Sequence, residues 1–161
     1  MKTLRSVVVL VLGLALSAHV LAADYQAGVD AADRGDYAAA LKEWRPLAER
    51  GHAGAQFNLG TMYTNGLGVP LDYTEAAKWV RLAAEQGHAG AQNNLGFMYD
   101  HGQGVARDQV KGLMWYSLAA ARFPPGEDRD TAVRNREIVE RKMTPEQITE
   151  AERLAREWKP K

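Results

Sequence analysis

One period constrains this chain more than any other feature. Gly51-His52-Ala53-Gly54-Ala55-Gln56 returns 36 residues later as Gly87-His88-Ala89-Gly90-Ala91-Gln92. The same offset pairs Asn58 with Asn94, Leu59 with Leu95, Gly60 with Gly96, Met62 with Met98 and Tyr63 with Tyr99. It continues through Gly66/Gly102, Gly68/Gly104, Val69/Val105, Asp72/Asp108 and Trp79/Trp115 to Ala84/Ala120. A unit of this length is one supersecondary motif that cannot bury its apolar face alone, whereas stacked copies share a continuous core.

Each repeat reads as two helices. Helix A runs from about Ala53 to Asn65, and Gly66 supplies the left-handed residue that ends it. A short loop follows, with Val69 as an apolar plug. Asp72 caps helix B, and Glu75 three residues on predicts a capping box. Helix B runs to about Gln86 and stops at Gly87. The second repeat repeats this grammar with Gly102, Gly104 and Asp108, but Lys111 replaces the glutamate, which predicts a weaker cap.

Upstream, Asp36-Tyr37 aligns with Asp72-Tyr73, so a shorter first unit is expected, with a helix from Asp24 to Arg34 and Gly28 as its close-packing residue. Ala40, Ala76 and Gly112 align as small residues that let helix B lie close to Gly60 and Gly96. Pro46 predicts a kink or weakening near Lys42. Downstream, Phe123-Pro124-Pro125-Gly126 breaks the chain. A charged helix over about Asp128 to Lys142 follows, and then Thr144-Pro145-Glu146-Gln147 opens a last helix to about Trp158. Many charges and little repeat signature suit a terminal cap. The expected fold is all-α: a right-handed α-solenoid of about four stacked antiparallel helix pairs, over residues 23–50, 51–86, 87–122 and 123–161.

Residues 1–22 read as an export signal. Lys2 and Arg5 precede the apolar run Val7 to Leu16, and Val20-Leu21-Ala22 fits a cleavage site. The run is too short for a membrane span, which needs about 20 apolar residues. The expectation is a bacterial exported protein, periplasmic or secreted, with no integral membrane anchor after cleavage.

The 161 residues balance 20 basic against 20 acidic side chains, so no basic excess argues for nucleic acid. Cysteine is absent, which removes disulfides, thiolate metal sites and cysteine nucleophiles.

The repeated residues resemble the Sel-one-like repeat family, a relative of the tetratricopeptide repeat. The matching hallmarks are Ala55-Gln56, Leu59-Gly60, Met62-Tyr63, Gly66-x-Gly68-Val69, Asp72, Ala76-Ala77-x-Trp79 and Ala83-Ala84, with their second-repeat counterparts. Gly28 with Gly35-Asp36-Tyr37 resembles the ordinary tetratricopeptide form. Lys142-Met143-Thr144-Pro145 through Trp158-Lys159 is similar to C-terminal caps of bacterial members. The resemblance implies a non-enzymatic adaptor that binds a protein or peptide. A cysteine-rich branch of the family binds or hydrolyses β-lactams, and that enzymatic alternative is disfavoured here by the absence of Cys. A polysaccharide-binding module stands third.

No catalytic, cofactor or metal site is expected. Gly66-x-Gly68 and Gly102-x-Gly104 follow helices rather than strands, so they read as repeat loops and not phosphate cradles. His52 and His88 share one repeat position and read as helix-entry residues. His101 has no second ligand at helical spacing. Ser117, the one serine beyond residue 22, lacks the spacing of a nucleophile motif. The late carboxylates alternate with arginines as on a solvated helix face.

The repeats differ along helix A at Phe57/Asn93, Thr61/Phe97, Thr64/Asp100 and Asn65/His101. These positions fall on one stripe about 100° wide, opposite the identical Ala55, Leu59, Met62 and Tyr63. In tetratricopeptide-like solenoids the A helices line the concave surface. The expected partner-binding set is therefore Tyr25, Val29, Phe57, Thr61, Thr64, Asn65, Asn93, Phe97, Asp100 and His101, with Phe57 and Phe97 as exposed anchors.

Overall fold

The computed structural model describes residues 24–161. The expected export segment lies outside them. Among the described residues the chain forms eight helices and no strand. They are α1 (24–33), α2 (Tyr37–Glu49), α3 (Ala53–Asn65), α4 (Tyr73–Glu85), α5 (Ala89–His101), α6 (Gln109–Arg122), α7 (Glu127–Glu140) and α8 (Pro145–Glu157). Each helix from α2 to α6 packs on the next, which makes a solenoid of helix pairs.

The helix ends follow local chemistry. Gly66 and Gly102 end α3 and α5 at φ 67° and 71°, each donating its amide to the Met62 or Met98 carbonyl. His52 and His88 are the N-caps of the same helices. Their Nδ1 atoms accept from the Ala55 and Ala91 amides at 3.1 and 3.2 Å. Asp72 caps α4 through the Thr74 and Glu75 amides. The expected box there is not closed, because the Glu75 carboxylate pairs with Lys78 at 2.8 Å instead. At the second cap Asp108 accepts from the Lys111 amide, and the Lys111 ammonium lies 2.9 Å from the same carboxylate. Burial alone would raise the Asp108 pKa, but the amide and ammonium of Lys111 and the Val110 amide hold it below its ordinary value. α2 runs as one helix through Pro46. Thr144 and Gln147 form the complete capping box of α8, with Pro145 in its first turn.

The pairs are held together by close approach. Among the described residues, thirteen of the 25 buried hydrophobic side chains are alanine, so the core depends on backbones lying near each other rather than on bulk. A glycine in each A helix receives a side chain of its partner B helix: Gly28 faces Trp44, Gly60 faces Val80, and Gly96 faces Tyr116. A Cβ on Gly96 would stand 2.8 Å from the Tyr116 ring, and one on Gly60 would stand 2.5 Å from Val80 Cγ2. The loops between A and B helices interlock with the preceding unit in the same manner. The Cα of Gly104 lies against the Tyr73 carbonyl so closely that no side chain fits. Val69 and Val105 are the partly buried plugs expected of those loops.

The Ala-Gln signature is the clamp between units. Gln56 and Gln92 are buried, and their amides donate to the carbonyls of Ala48 and Ala84 in the last turns of α2 and α4. Each of those carbonyls also accepts the amide of the glycine that follows the helix, Gly51 at 3.0 Å and Gly87 at 2.9 Å, so the glutamine fills its second acceptor position. Gln56 also accepts from Gln86 at 2.7 Å. In register with Gln86 stands Arg122, which lies over the Trp158 ring at 4.4 Å, and Gln92 Oε1 has no partner.

α7 and α8 do not form a further closely packed pair. Both lie on α6, and they converge around Tyr116, where Val139 and Ala151 are buried. α7 continues the row of A helices, with Asn135 donating to Asn93 at 3.2 Å. α8 turns back along the B helices, where Trp158 meets Trp115 edge-on and Lys161 reaches Glu85 at 2.9 Å.

Replacing Gln92 with Ala removes the buried hydrogen bond that ties α5 to the Ala84 carbonyl, which keeps its Gly87 amide, and this is expected to cost about 0.5–1.5 kcal/mol. Urea denaturation of Gln92→Ala beside the exposed control Gln26→Ala measures it; equal midpoints would contradict the clamp.

Candidate functional site

The ten residues of the variable stripe divide into three groups. Tyr25, Val29, Phe57 and Asn93 belong to the seams between units. Tyr25 stacks on His52 at 4.8 Å, and its hydroxyl accepts from Asn58 at 3.3 Å. Val29 packs on the core shared by α1, α2 and α3. Phe57 stacks on His88 at 4.7 Å and packs against the core around α4, α5 and α6. Phe57 is therefore a half-buried wedge and not an exposed anchor. Asn93 occupies the same register and trades the aromatic contact for its hydrogen bond to Asn135.

Asp100 is a correction of a different kind. It is buried, with Lys142 Nζ 3.5 Å and His101 Nδ1 3.9 Å from its carboxylate, beneath the end of α7. Its Oδ1 has no partner. Its place in register with half-buried Thr64 gave no sign of this, because the cover comes from a third unit that lacks the repeat signature. Burial pushes the neighbouring Tyr116 phenol well above its ordinary range, and the Asp100 charge adds to that shift.

The remaining five residues do share the accessible face of α3 and α5. The Thr61 and Thr64 hydroxyls donate to the Phe57 and Gly60 carbonyls, and the Asn65 amide donates to the Thr61 carbonyl. Phe97 is 42% exposed and stacks on His101 at 4.0 Å, one turn further along α5. His101 Nδ1 lies 3.0 Å from the Phe97 carbonyl. Of the two phenylalanines expected as anchors, Phe97 alone presents an open ring.

His52 and His88 do more than begin helices, a role that repeat position alone does not disclose. Each imidazole is at once an N-cap and the stacking partner of the preceding A helix. Accepting an amide proton at Nδ1 requires the neutral ring, with its proton on Nε2. Burial holds the His88 pKa below its ordinary value; the charge of His52 adds to this, and a backbone hydrogen bond opposes it.

An array of stacked helix pairs with close glycine seats and glutamine clamps is an α-solenoid of the SLR type. The comparisons agree. Residues 53–88 and 89–122 each match the Sel1 repeat model. A solved structure of c5321, described as a protective antigen present in uropathogenic Escherichia coli strains displaying an SLR fold, superposes on 86% of this chain. Its TM-score is 0.79 at 34% identity, and this chain covers 29% of that longer one. A Sel1 repeat protein from Oxalobacter formigenes superposes on 62% with TM-score 0.58 and 32% identity, and 39% of it is covered. No curated protein matches the chain. The chain is a Sel1-repeat protein.

Two outcomes are expected from this geometry. Phe57→Ala should destabilise by about 2 kcal/mol or more as a seam truncation, while Phe97→Ala stays within about 0.5 kcal/mol. Chemical denaturation of both variants checks this, and equal effects would contradict the division.

The second outcome concerns pH. A histidine whose folded pKa is depressed contributes stability that is complete above its unfolded value. That contribution is lost as pH falls through the folded one. Lowering pH from roughly 7 to 5 should lower Tm, and His88→Asn, which caps without titrating in this range, should flatten that slope. A variant slope as steep as the parent's would remove His88 from the account.

Proposed function

We propose that this chain is a non-catalytic interaction scaffold that works outside the cytoplasm and holds a protein or peptide on the concave surface lined by α3 and α5. One observation carries the reading. Ala55, Leu59, Met62 and Tyr63 of helix A return unchanged in the second repeat, while the accessible face changes from Thr61 and Asn65 to the stacked pair Phe97 and His101. An open aromatic ring beside an imidazole, flanked by threonine and asparagine, has the composition of a protein-recognition anchor with a polar rim. The SLR fold is itself a usual scaffold for protein interaction. Export follows from Lys2, Arg5, the run from Val7 to Leu16, and the Val20-Leu21-Ala22 site.

The test places a photo-cross-linking phenylalanine analogue at position 97, with position 82 on α4 as the exposed control, in a bacterium exporting the protein. The expected result is a discrete adduct from position 97 and none from 82, on a product whose first residue is Ala23. Adducts of equal pattern from both positions would overturn the binding face, and retention of Met1 would overturn export.

A further inference from the structure

The B-helix side carries a second feature, independent of the scaffold reading. A cavity of about 290 Å3 opens between α4, α6 and α8, over the tip of α5. Its polar wall is Arg81, Tyr99 and Lys111, and its apolar wall is Met114, Trp115 and Leu154. Arg81 Nη2 donates to the Tyr99 hydroxyl at 3.2 Å, and Lys111 Nζ stands 5.5 Å from the centre of the Tyr99 ring. The one carboxylate on the rim, Glu85, is neutralised by Lys161 at 2.9 Å. Arg81 has no carboxylate partner among the described residues.

The preceding repeat supplies an internal control. There Arg45 Nη2 donates to Tyr63 at 3.3 Å, so the arginine–tyrosine bond is part of the repeat. In register with Lys111 and Met114, however, stand Glu75 and Lys78, which pair with each other at 2.8 Å. The second repeat has thus exchanged the Glu75–Lys78 pair for a lysine paired at 2.9 Å with the cap residue Asp108 and an apolar side chain, and α8 adds Leu154 as a wall. The two cations sense each other: the hydrogen bond and charge of Asp108 hold the Lys111 pKa above its ordinary value, while the charge of Arg81 works against it.

We propose that this cavity binds an organic carboxylate borne on a small apolar body. Arg81 retains free N–H groups in the planar fork that suits a carboxylate. The Tyr99 oxygen accepts from Arg81, so its own proton is free to be donated to the anion. Lys111, held beside the ring by its pair with Asp108, offers its remaining ammonium protons. Met114, Trp115 and Leu154 receive the attached apolar chain. The volume is at the lower end for ligand sites, which limits the seated part to a few carbon atoms. The same chemistry is offered by a free small acid and by the C-terminus of a peptide ending in an apolar residue.

The experiment is a titration of the 15N-labelled protein, followed by NMR, with isocaproate, isocaproamide, and acetyl-Ala-Ala-Leu as free acid or amide. Saturable shifts confined to Arg81, Tyr99, Lys111 and Leu154 are expected for the acids. Each amide should bind about tenfold more weakly, as should the acid with Arg81→Gln or with Lys111→Glu, which restores the first repeat's charge. Arg45→Gln is the register-matched control and should leave affinity unchanged. Tighter binding of the peptide acid identifies a polypeptide C-terminus as the source, and tighter binding of isocaproate identifies a free acid. Acid and amide binding alike, Arg45→Gln weakening as much as Arg81→Gln, or no saturable shift from either acid would overturn the proposal.

Discussion

Everything in this structure depends on how near an A helix can come to its B helix. Gly28, Gly60 and Gly96 set that distance by having no side chain where Trp44, Val80 and Tyr116 must lie. Because the backbones are close, alanine suffices for much of the core, at Ala40, Ala55, Ala76, Ala83, Ala84 and Ala91. Because the core is thin, the units cannot be held by apolar area alone. Gln56 and Gln92 therefore bridge from one pair to the end of the previous helix, and the histidine caps stack on the ring behind them. The spacing of the pairs, the depth of the seams and the direction of each A-helix face all follow from the glycine seats.

Much of this was legible in the sequence because it is local or periodic. Helix ends need only a few neighbouring residues, and Gly66, Gly102, Asp72, Asp108 and the Thr144–Gln147 box act as their residue types dictate. The 36-residue offset then carries each assignment from one repeat to the other. What periodicity cannot carry is the identity of the neighbour. Phe57 and Phe97 lie on the same variable stripe, yet Phe57 faces the next unit's histidine cap and Phe97 faces solvent. Asp100 is covered by α7, which belongs to the unit with least resemblance to the rest. Glu75 sits at the right spacing for a capping box, but Lys78 on its own helix competes for the carboxylate and wins.

The path of α8 was the least legible element. Its amphipathic pattern called for a surface to cover, and the open end of the stack was the expected one. It runs instead along the B helices, where Trp158 finds Trp115 and Arg122, and where Leu154 adds an apolar wall to the cavity between α4 and α6. Leu82 and Leu118 occupy the same repeat position; Leu118 is buried and Leu82 is 45% exposed, a contrast that no pattern within either repeat encodes.

That path also changes the statistics of unfolding. A simple solenoid obeys nearest-neighbour energetics, in which each unit is stabilised only by the units beside it and melting can begin at either end. Here the last segment reaches past α6 to the end of α4, through the Trp158 contact beside Gly87 and the two hydrogen bonds from Lys161 to Glu85. This is a next-nearest-neighbour coupling, present among the described residues at the C-terminal end only. The array is thereby polarised: among the described residues the two Sel1 repeats and the C-terminal segment share this tie, and α1 and α2 stand outside it.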